Sequence, residues 1–160
     1  MRGLSEAAED LRSALIGAFY SRFSVHTGFE LAFEGFTLAA QEIESPDEEQ
    51  LNRELLGSYP PVRHTANPEV IAKSTVLAAC LAVPVSLVEV AADASLTLGF
   101  ENGVCISLPT STPIVDWHWA ITEGSQDPYT GYIIACFAPG EVQGSIANKS
   151  SKPTPLRGAA

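Results

Sequence analysis

The sequence predicts an α+β fold: an antiparallel sheet built from two related three-stranded meanders, with helices packed on one side. Residues 29–39 (FELAFEGFTLA) and 96–108 (LTLGFENGVCISL) share one pattern, in which apolar residues alternate along a strand, a Gly-containing turn follows and a second strand returns. A strand pattern precedes each hairpin, and a helix pattern precedes that strand. The similarity reflects either an internal repeat, at about 5–42 and 68–108, or convergent hairpin chemistry.

The loop at residues 101–103 decides the register of the second hairpin. A two-residue Asn-Gly turn would pair Phe100 with Cys105 and place the two apolar sets on opposite faces. A three-residue loop with Gly103 in the left-handed conformation pairs Phe100 with Val104 and makes one continuous apolar face. We therefore predict the three-residue loop.

Turns and alternation also place the other strands. A two-residue Glu34-Gly35 turn pairs Phe33 with Phe36 in the first hairpin. In the strand before it, alternation places Phe19, Phe23 and Val25 on one side and Tyr20 on the other. The predicted strands cover 18–25, 29–33, 36–40, 83–91, 96–100, 104–108, 110–121, 132–137 and 141–146.

Caps and apolar periods predict three helices, at about 5–16, 45–56 and 67–81. The second has the clearest start, because Ser45 is an N-cap residue, Pro46 suits the first helical position and Glu48 occupies the capping-box position. The segment 123–130 is predicted to be a polar loop.

Length and composition predict a single domain, residues 1–146, followed by a flexible tail, residues 147–160. The longest apolar run, 76–88, contains Pro84 and is too short to span a bilayer, and the N-terminus has acids where a signal peptide would be apolar. The three cysteines have no disulfide or metal spacing, which indicates reduced core residues: Cys80, Cys105 and Cys136. We expect a cytoplasmic protein.

The charge is strongly negative and uneven. The net charge is −10, and no Lys or Arg occurs between Ser74 and Asn148, a stretch that contains seven acids. Such a surface repels nucleic acid and anionic membranes and attracts cationic partners, although charge alone favours simple solubility as the explanation. Two acidic groups stand out, one around Glu44–Glu49 and one around Asp116–Asp127.

The sequence contains no recognisable catalytic, phosphate-binding or metal-binding motif. Asp116 and His118 share a predicted strand face, where a solvated polar surface is favoured over an acid–base or metal pair. Trp117 and Trp119 share the other face with Val115 and Ile121, which favours core packing over a binding platform.

Residues 85–145 resemble a family of small, uncharacterised bacterial domains. The matching residues are Leu96–Gly103, Pro113, Trp119-Ala120-Ile121 and Pro139-Gly140-Glu141. In that family the tryptophan strand reads Tyr-Glu-x-Trp-Glu-Ile, whereas here the acid is shifted and one Glu is lost. Some members look like immunity proteins encoded beside polymorphic toxins, so the resemblance implies a role in toxin neutralisation.

We therefore expect a non-enzymatic binding protein without a cofactor, which neutralises a basic effector, such as a nuclease toxin domain, by occlusion. The expected contact residues are Glu44, Asp47, Glu48, Glu49, Asp116, Glu123, Asp127 and Tyr129, with Tyr132 as a further aromatic anchor. Two alternatives remain open. One is a small-ligand-binding protein or weak enzyme with a cleft near Asp116 and His118, and the other is a structural subunit that oligomerises through a strand edge.

Overall fold

The computed structural model describes residues 3–65, 67–113, 116–124 and 126–146. Within these residues the helices are α1 (Leu4–Leu15), α2 (Glu48–Ser58), α3 (Pro68–Ala79) and α4 (Pro128–Gly131), with a short 3₁₀ helix at Pro60–His64. The strands are β1 (Tyr20–Val25), β2 (Phe29–Phe33), β3 (Phe36–Ala40), β4 (Val85–Val90), β5 (Leu96–Phe100), β6 (Cys105–Leu108), β7 (Trp119–Thr122), β8 (Tyr132–Ala138) and β9 (Glu141–Gly144). The predicted tail, residues 147–160, lies outside the described residues.

The α+β class is confirmed, but the two meanders lie in two sheets instead of one. Six antiparallel strands follow the order β1-β2-β3-β7-β8-β9, and a second sheet has the order β4-β5-β6. The helices do not share one side: α1 packs against β4, α3 contacts α2 and β1, and α4 contacts β7 and β8. Each meander has one apolar face, and the two faces are buried by contact with each other. A single sheet of nine strands would instead need a wide layer of helices to cover it.

One hydrophobic cluster joins the two sheets with α1 and α3. Its most deeply buried aliphatic and tryptophan side chains come from all four parts: Leu11, Leu15, Leu38, Leu77, Leu96, Leu98, Ile106, Leu108, Trp119, Ile121 and Ile134. Cys80 and Cys136 are buried, Cys105 is half-buried, and all three are free thiols. No helix among the described residues is long and apolar enough to cross a membrane.

Both hairpin registers are confirmed. The observed pairs include Phe33 with Phe36, Leu31 with Leu38, and Leu98 with Ile106. The backbone N–H of Phe100 donates to the carbonyl of Val104 (2.9 Å), and Gly103 has a φ of +88°. The three-residue loop therefore places the apolar residues of β5 and β6 on one face.

The prediction that Phe19 shares a strand side with Phe23 and Val25 is wrong. Its side chain is 48% exposed, whereas Tyr20 is fully buried. The pairing of β1 with β2 shifts by one residue between Tyr20 and Arg22. The extra residue of this β-bulge reverses the alternation of the residues that precede it. Tyr20 therefore faces the core together with Phe23 and Val25, which follow the bulge.

The predicted strand at 110–121 is shorter than expected, since β7 begins only at Trp119. Trp119 is fully buried and its indole Nε1–H donates to the carbonyl of Ala94 (2.8 Å), so core packing is confirmed for this residue. Trp117 is half-buried and precedes the strand, and Val115 lies outside the described residues. The predicted polar loop 123–130 contains the start of the short helix α4.

We expect Gly103→Ala to lower the free energy of unfolding by about 1 kcal/mol, because an L-residue at this positive φ suffers the left-handed backbone penalty. A Cβ added here meets nothing within 4 Å, so crowding does not contribute. Chemical denaturation measures the change. Gly57→Ala is the matched control, since Gly57 lies in α2 with equally open surroundings and should be neutral or stabilising by up to about 1 kcal/mol. Equal effects at the two sites would contradict this account of the loop.

Candidate partner-binding surface

Three aromatic side chains form a partly exposed cluster beside the β7–β8 connection, which we call the aromatic patch: Tyr129, Tyr132 and Phe137. Tyr129 is 52% exposed and Tyr132 is 37% exposed. The ring of Phe137 stacks on Tyr129, with centroids 5.1 Å apart and an interplanar angle of 13°, and meets Tyr132 edge-on at 5.1 Å and 82°. Large aromatic rings that contact one another at the surface are a common feature of protein-binding sites.

The short helix α4 holds Tyr129 in place. Asp127 is its N-cap, and its Oδ1 accepts a hydrogen bond from the backbone N–H of Tyr129 (2.9 Å). Pro128 at the first helical position is pre-set for helical φ. At its other end, the Tyr129 hydroxyl donates to the backbone carbonyl of Asp116. The ring is therefore fixed at both ends although it is half exposed.

Two carboxylates lie near the Tyr129 side chain. Partial desolvation and the nearby carboxylates of Asp116 and Asp127 raise the pKa of the Tyr129 hydroxyl. Glu123 is exposed in the segment between β7 and α4. The structure therefore brings together three predicted contact residues, Asp116, Asp127 and Tyr129, with Tyr132 beside them. Apolar rings flanked by negative charge suit a partner that presents Arg or Lys beside apolar groups.

The second acidic group is tied into the fold by a buried lysine. Lys73 on α3 is only 9% exposed, and its Nζ donates to the carbonyl of Ile43 (2.6 Å). The same Nζ lies 2.8 Å from Glu48 Oε1 and 3.3 Å from Glu42 Oε1. Burial by itself would lower the pKa of Lys73, but these two carboxylates raise it, so the lysine stays charged.

Glu48 thus has an internal role. Besides its ion pair, its Oε2 accepts a hydrogen bond from the backbone N–H of Ser45 (2.7 Å), which is the carboxylate half of the predicted capping box. Glu44 is exposed, and its backbone pairs with Ser107 at the edge of the three-stranded sheet. Asp47 borders a groove of about 280 Å³ between α2 and α3, and Glu49 is exposed.

The predicted polar face that Asp116 and His118 were expected to share is not present. Asp116 is exposed, whereas His118 is 4% exposed, and its Nδ1 has no hydrogen-bond partner in the part of the chain that the structure describes. His118 lies just before β7, where its backbone N–H donates to Cys136 and its carbonyl accepts from Gln41. Within the described ranges, no cluster of three or more His, Cys, Asp or Glu residues could hold a metal ion.

Two important residues were not recognised in the sequence. Phe137 completes the aromatic patch, and the alternation of β8 indicates it, because Ile134 and Cys136 face the core and Phe137 falls on the opposite face. Lys73 organises the acids near α2, and its signal is its position as the only base in the apolar helix pattern.

Charge reversal at Glu48 and at Glu49 should have different consequences for stability. Glu48→Lys places a second cation beside buried Lys73, and we expect it to lower the free energy of unfolding by about 2–4 kcal/mol. Glu49→Lys makes the same charge change on an exposed neighbour and should stay within about 0.5 kcal/mol of wild type. Denaturant titrations of both variants measure this difference. If Glu48→Lys is as stable as Glu49→Lys, the Lys73 network does not stabilise the fold.

His118 should make stability depend on pH. Burial lowers the pKa of His118, although the charge of Asp93 acts in the opposite direction. The unfolded chain therefore binds a proton more readily than the folded chain. Stability is complete above the unfolded pKa of about 6.5 and decreases as pH falls from there through the lower folded pKa.

Unfolding free energies of wild type and His118→Gln, measured between pH 5 and pH 8, test this dependence. Below about pH 6.5, the free energy of unfolding should rise more steeply with pH for wild type than for the variant. This difference in slope does not depend on the absolute stability of the variant. Identical slopes would show that His118 does not titrate differently in the two states.

No protein-family model matches the chain, and no curated protein or solved structure matches it at a significant level.

Proposed function

We propose that this chain is a non-enzymatic binding protein that captures a basic protein through the aromatic patch and its carboxylates. The partner is proposed to be a toxin domain in the cytoplasm, and the mechanism is occlusion of its functional surface. The observation that carries the proposal is that the aromatic patch (Tyr129, Tyr132 and Phe137) lies next to two acidic residues, Asp116 and Asp127. The resemblance of residues 85–145 to small bacterial domains, some of which look like immunity proteins, is the reason for proposing a toxin.

The two kinds of residue would contribute differently to binding. Carboxylates at the rim attract a cationic partner over about 8 Å at physiological ionic strength, so they mainly raise the association rate. The exposed ring of Tyr129 offers a face for an Arg or Lys side chain, and a cation–π contact contributes about 0.5–2 kcal/mol. The rings would therefore mainly slow dissociation.

The acids near α2 are proposed to contribute less to partner binding. Glu48 is engaged with Lys73 and Ser45, so its carboxylate is not available without loss of the cap. Glu44, Asp47 and Glu49 add to the negative field of the surface and would assist steering. They lie beside β6 and α2, on a different part of the fold from the aromatic patch.

Co-expression with the product of the neighbouring gene, followed by purification and a growth-rescue assay, tests the proposed function. Once a partner is identified, the double variant Asp116→Asn/Asp127→Asn should reduce the association rate several-fold at low salt. The Asp127→Asn change keeps a side-chain oxygen that can cap α4, so the fold should be retained. Tyr129→Ala should weaken binding by about 30-fold, as expected for an anchor contributing about 2 kcal/mol, mainly through faster dissociation.

The matched control is Glu89→Gln combined with Glu101→Gln, which removes two charges from the three-stranded sheet and its hairpin loop. This variant should associate at nearly the wild-type rate. If no basic protein binds at low salt, and a small metabolite raises the melting temperature instead, the proposal is wrong and the protein is a ligand-binding protein.

A further inference from the structure

The groove between α2 and α3 has a volume of about 280 Å³ and shares no residue with the aromatic patch. Its floor is apolar and combines both helices with the loop between β5 and β6: Leu51, Val76, Ala79 and Val104. Val76 belongs to the hydrophobic core, and Leu51 and Val104 are half-buried and pack against that core. Small-molecule sites range from about 300 to 1,000 Å³, so this groove suits a small or narrow ligand with an apolar body.

Two carboxylates border the groove from α2. Asp47 and Glu54 line it with Gln50 between them, and all three residues are exposed. The backbone of Asp47 is already helical, with φ −85° and ψ −9°. The seven positions from Asp47 to Glu54 therefore make about two turns, which places their Cα atoms about 10 Å apart on the same face of the helix. Among the described residues that line the groove there is no Lys or Arg.

Both carboxylates can accept hydrogen bonds from a ligand. Asp47 is the N-cap residue of α2, yet its side chain accepts no capping hydrogen bond from the described part of the chain. The Nε2 of Gln50 donates to Oε1 of Glu54 (2.9 Å), which orients the Glu54 carboxylate along the helix. A carboxylate has about four lone-pair sites, so Glu54 can accept a second donor beside Gln50.

We propose that this groove binds a linear α,ω-diammonium ion, with its methylene chain on the apolar floor and its two ammonium groups at Asp47 and Glu54. The floor supplies the contact area, and the two separated negative charges select a ligand that is positive at both ends. An extended polypeptide rises about 3.5 Å over three backbone bonds, so the six bonds between the nitrogens of a five-carbon diamine span about 7 Å. That span fits within the Cα separation and leaves an N–H···O hydrogen bond of about 2.8 Å at each end.

The ligand would also fix α2 against the rest of the fold. None of the residues 48–58, all of which the structure describes, is fully buried, and α2 packs mainly on α3. A helix with so little buried surface opens more easily than the core, and a ligand that contacts both helices stabilises the closed state by mass action. Bound diamine should therefore slow hydrogen exchange of the α2 amides more than that of the β7 amides.

Titration of the ¹⁵N-labelled full chain at constant ionic strength tests the site. The probes are 1,5-diaminopentane, pentylamine, which has the same chain with one ammonium group, and MgCl₂, which has the same charge without methylene groups. The diamine should shift the amide resonances of residues 47–54, 75–79 and 104. An exposed ion pair contributes up to about five-fold in affinity, so pentylamine should bind up to about five-fold more weakly. Equal affinity of the two amines, or equal shifts with Mg²⁺, would overturn the proposal.

Paired variants separate the groove from the general negative charge of the protein. Asp47→Asn/Glu54→Gln should weaken diamine binding several-fold. Glu49→Gln/Glu69→Gln removes the same charge from exposed positions on the same two helices, outside the groove, and should bind within about two-fold of wild type. An equal loss in both variants would show that the diamine responds only to net charge.

The apolar floor has its own test. Ala79→Gln places a longer, uncharged side chain in the groove from an exposed helical position, so it should weaken diamine binding while the fold is retained. Unchanged affinity in this variant would contradict the placement of the methylene chain. The proposal does not depend on the proposed function, because capture of a basic protein is measured at Tyr129 and diamine binding is measured at Asp47 and Glu54.

Discussion

The two sheets of this fold depend on one buried tyrosine. The bulge in β1 directs Tyr20 into the core, where its ring meets Phe33 edge-on at 5.7 Å and Phe100 at 6.0 Å. Its hydroxyl donates to the carbonyl of Leu77 on α3, and burial raises its pKa. A single side chain thus contacts both sheets and a helix, and its polar atom is satisfied, as burial of a hydroxyl requires.

The position of the aromatic patch follows from this packing. The six-stranded sheet is anchored to the smaller sheet by Tyr20 at one end, and in its interior by the hydrogen bond from Trp119 to Ala94. Because β7 is fixed there, the β7–β8 connection and α4 emerge from a rigid support. Residues that bind partners are commonly carried on connections of this kind, where the scaffold determines geometry and the loop supplies chemistry.

Local features of the fold could be predicted from the sequence, whereas long-range ones could not. The hairpin around Gly103 is specified by alternation and loop length, which act over a few residues. The bulge before Arg22 leaves no mark in the sequence, since Phe19 continues an unbroken alternation and only contacts with distant rings favour Tyr20. For the same reason Tyr129 could be named as a candidate anchor, but its stacking on Phe137 could not, because that contact depends on how α4 returns to β8.

The value of an acidic side chain for binding depends on what already engages it, and the two acidic groups differ in this respect. Glu48 is satisfied by Lys73 and by the cap of α2, so its charge stabilises the fold. Tyr129, by contrast, is already ordered in the unbound protein, because Asp127 and the carbonyl of Asp116 hold it at both ends. Its ring is nevertheless partly exposed. A side chain ordered before binding loses little entropy in the complex, so its contact energy is retained as affinity. This preorganisation, more than the number of carboxylates, is what makes the patch the surface that we propose for partner binding.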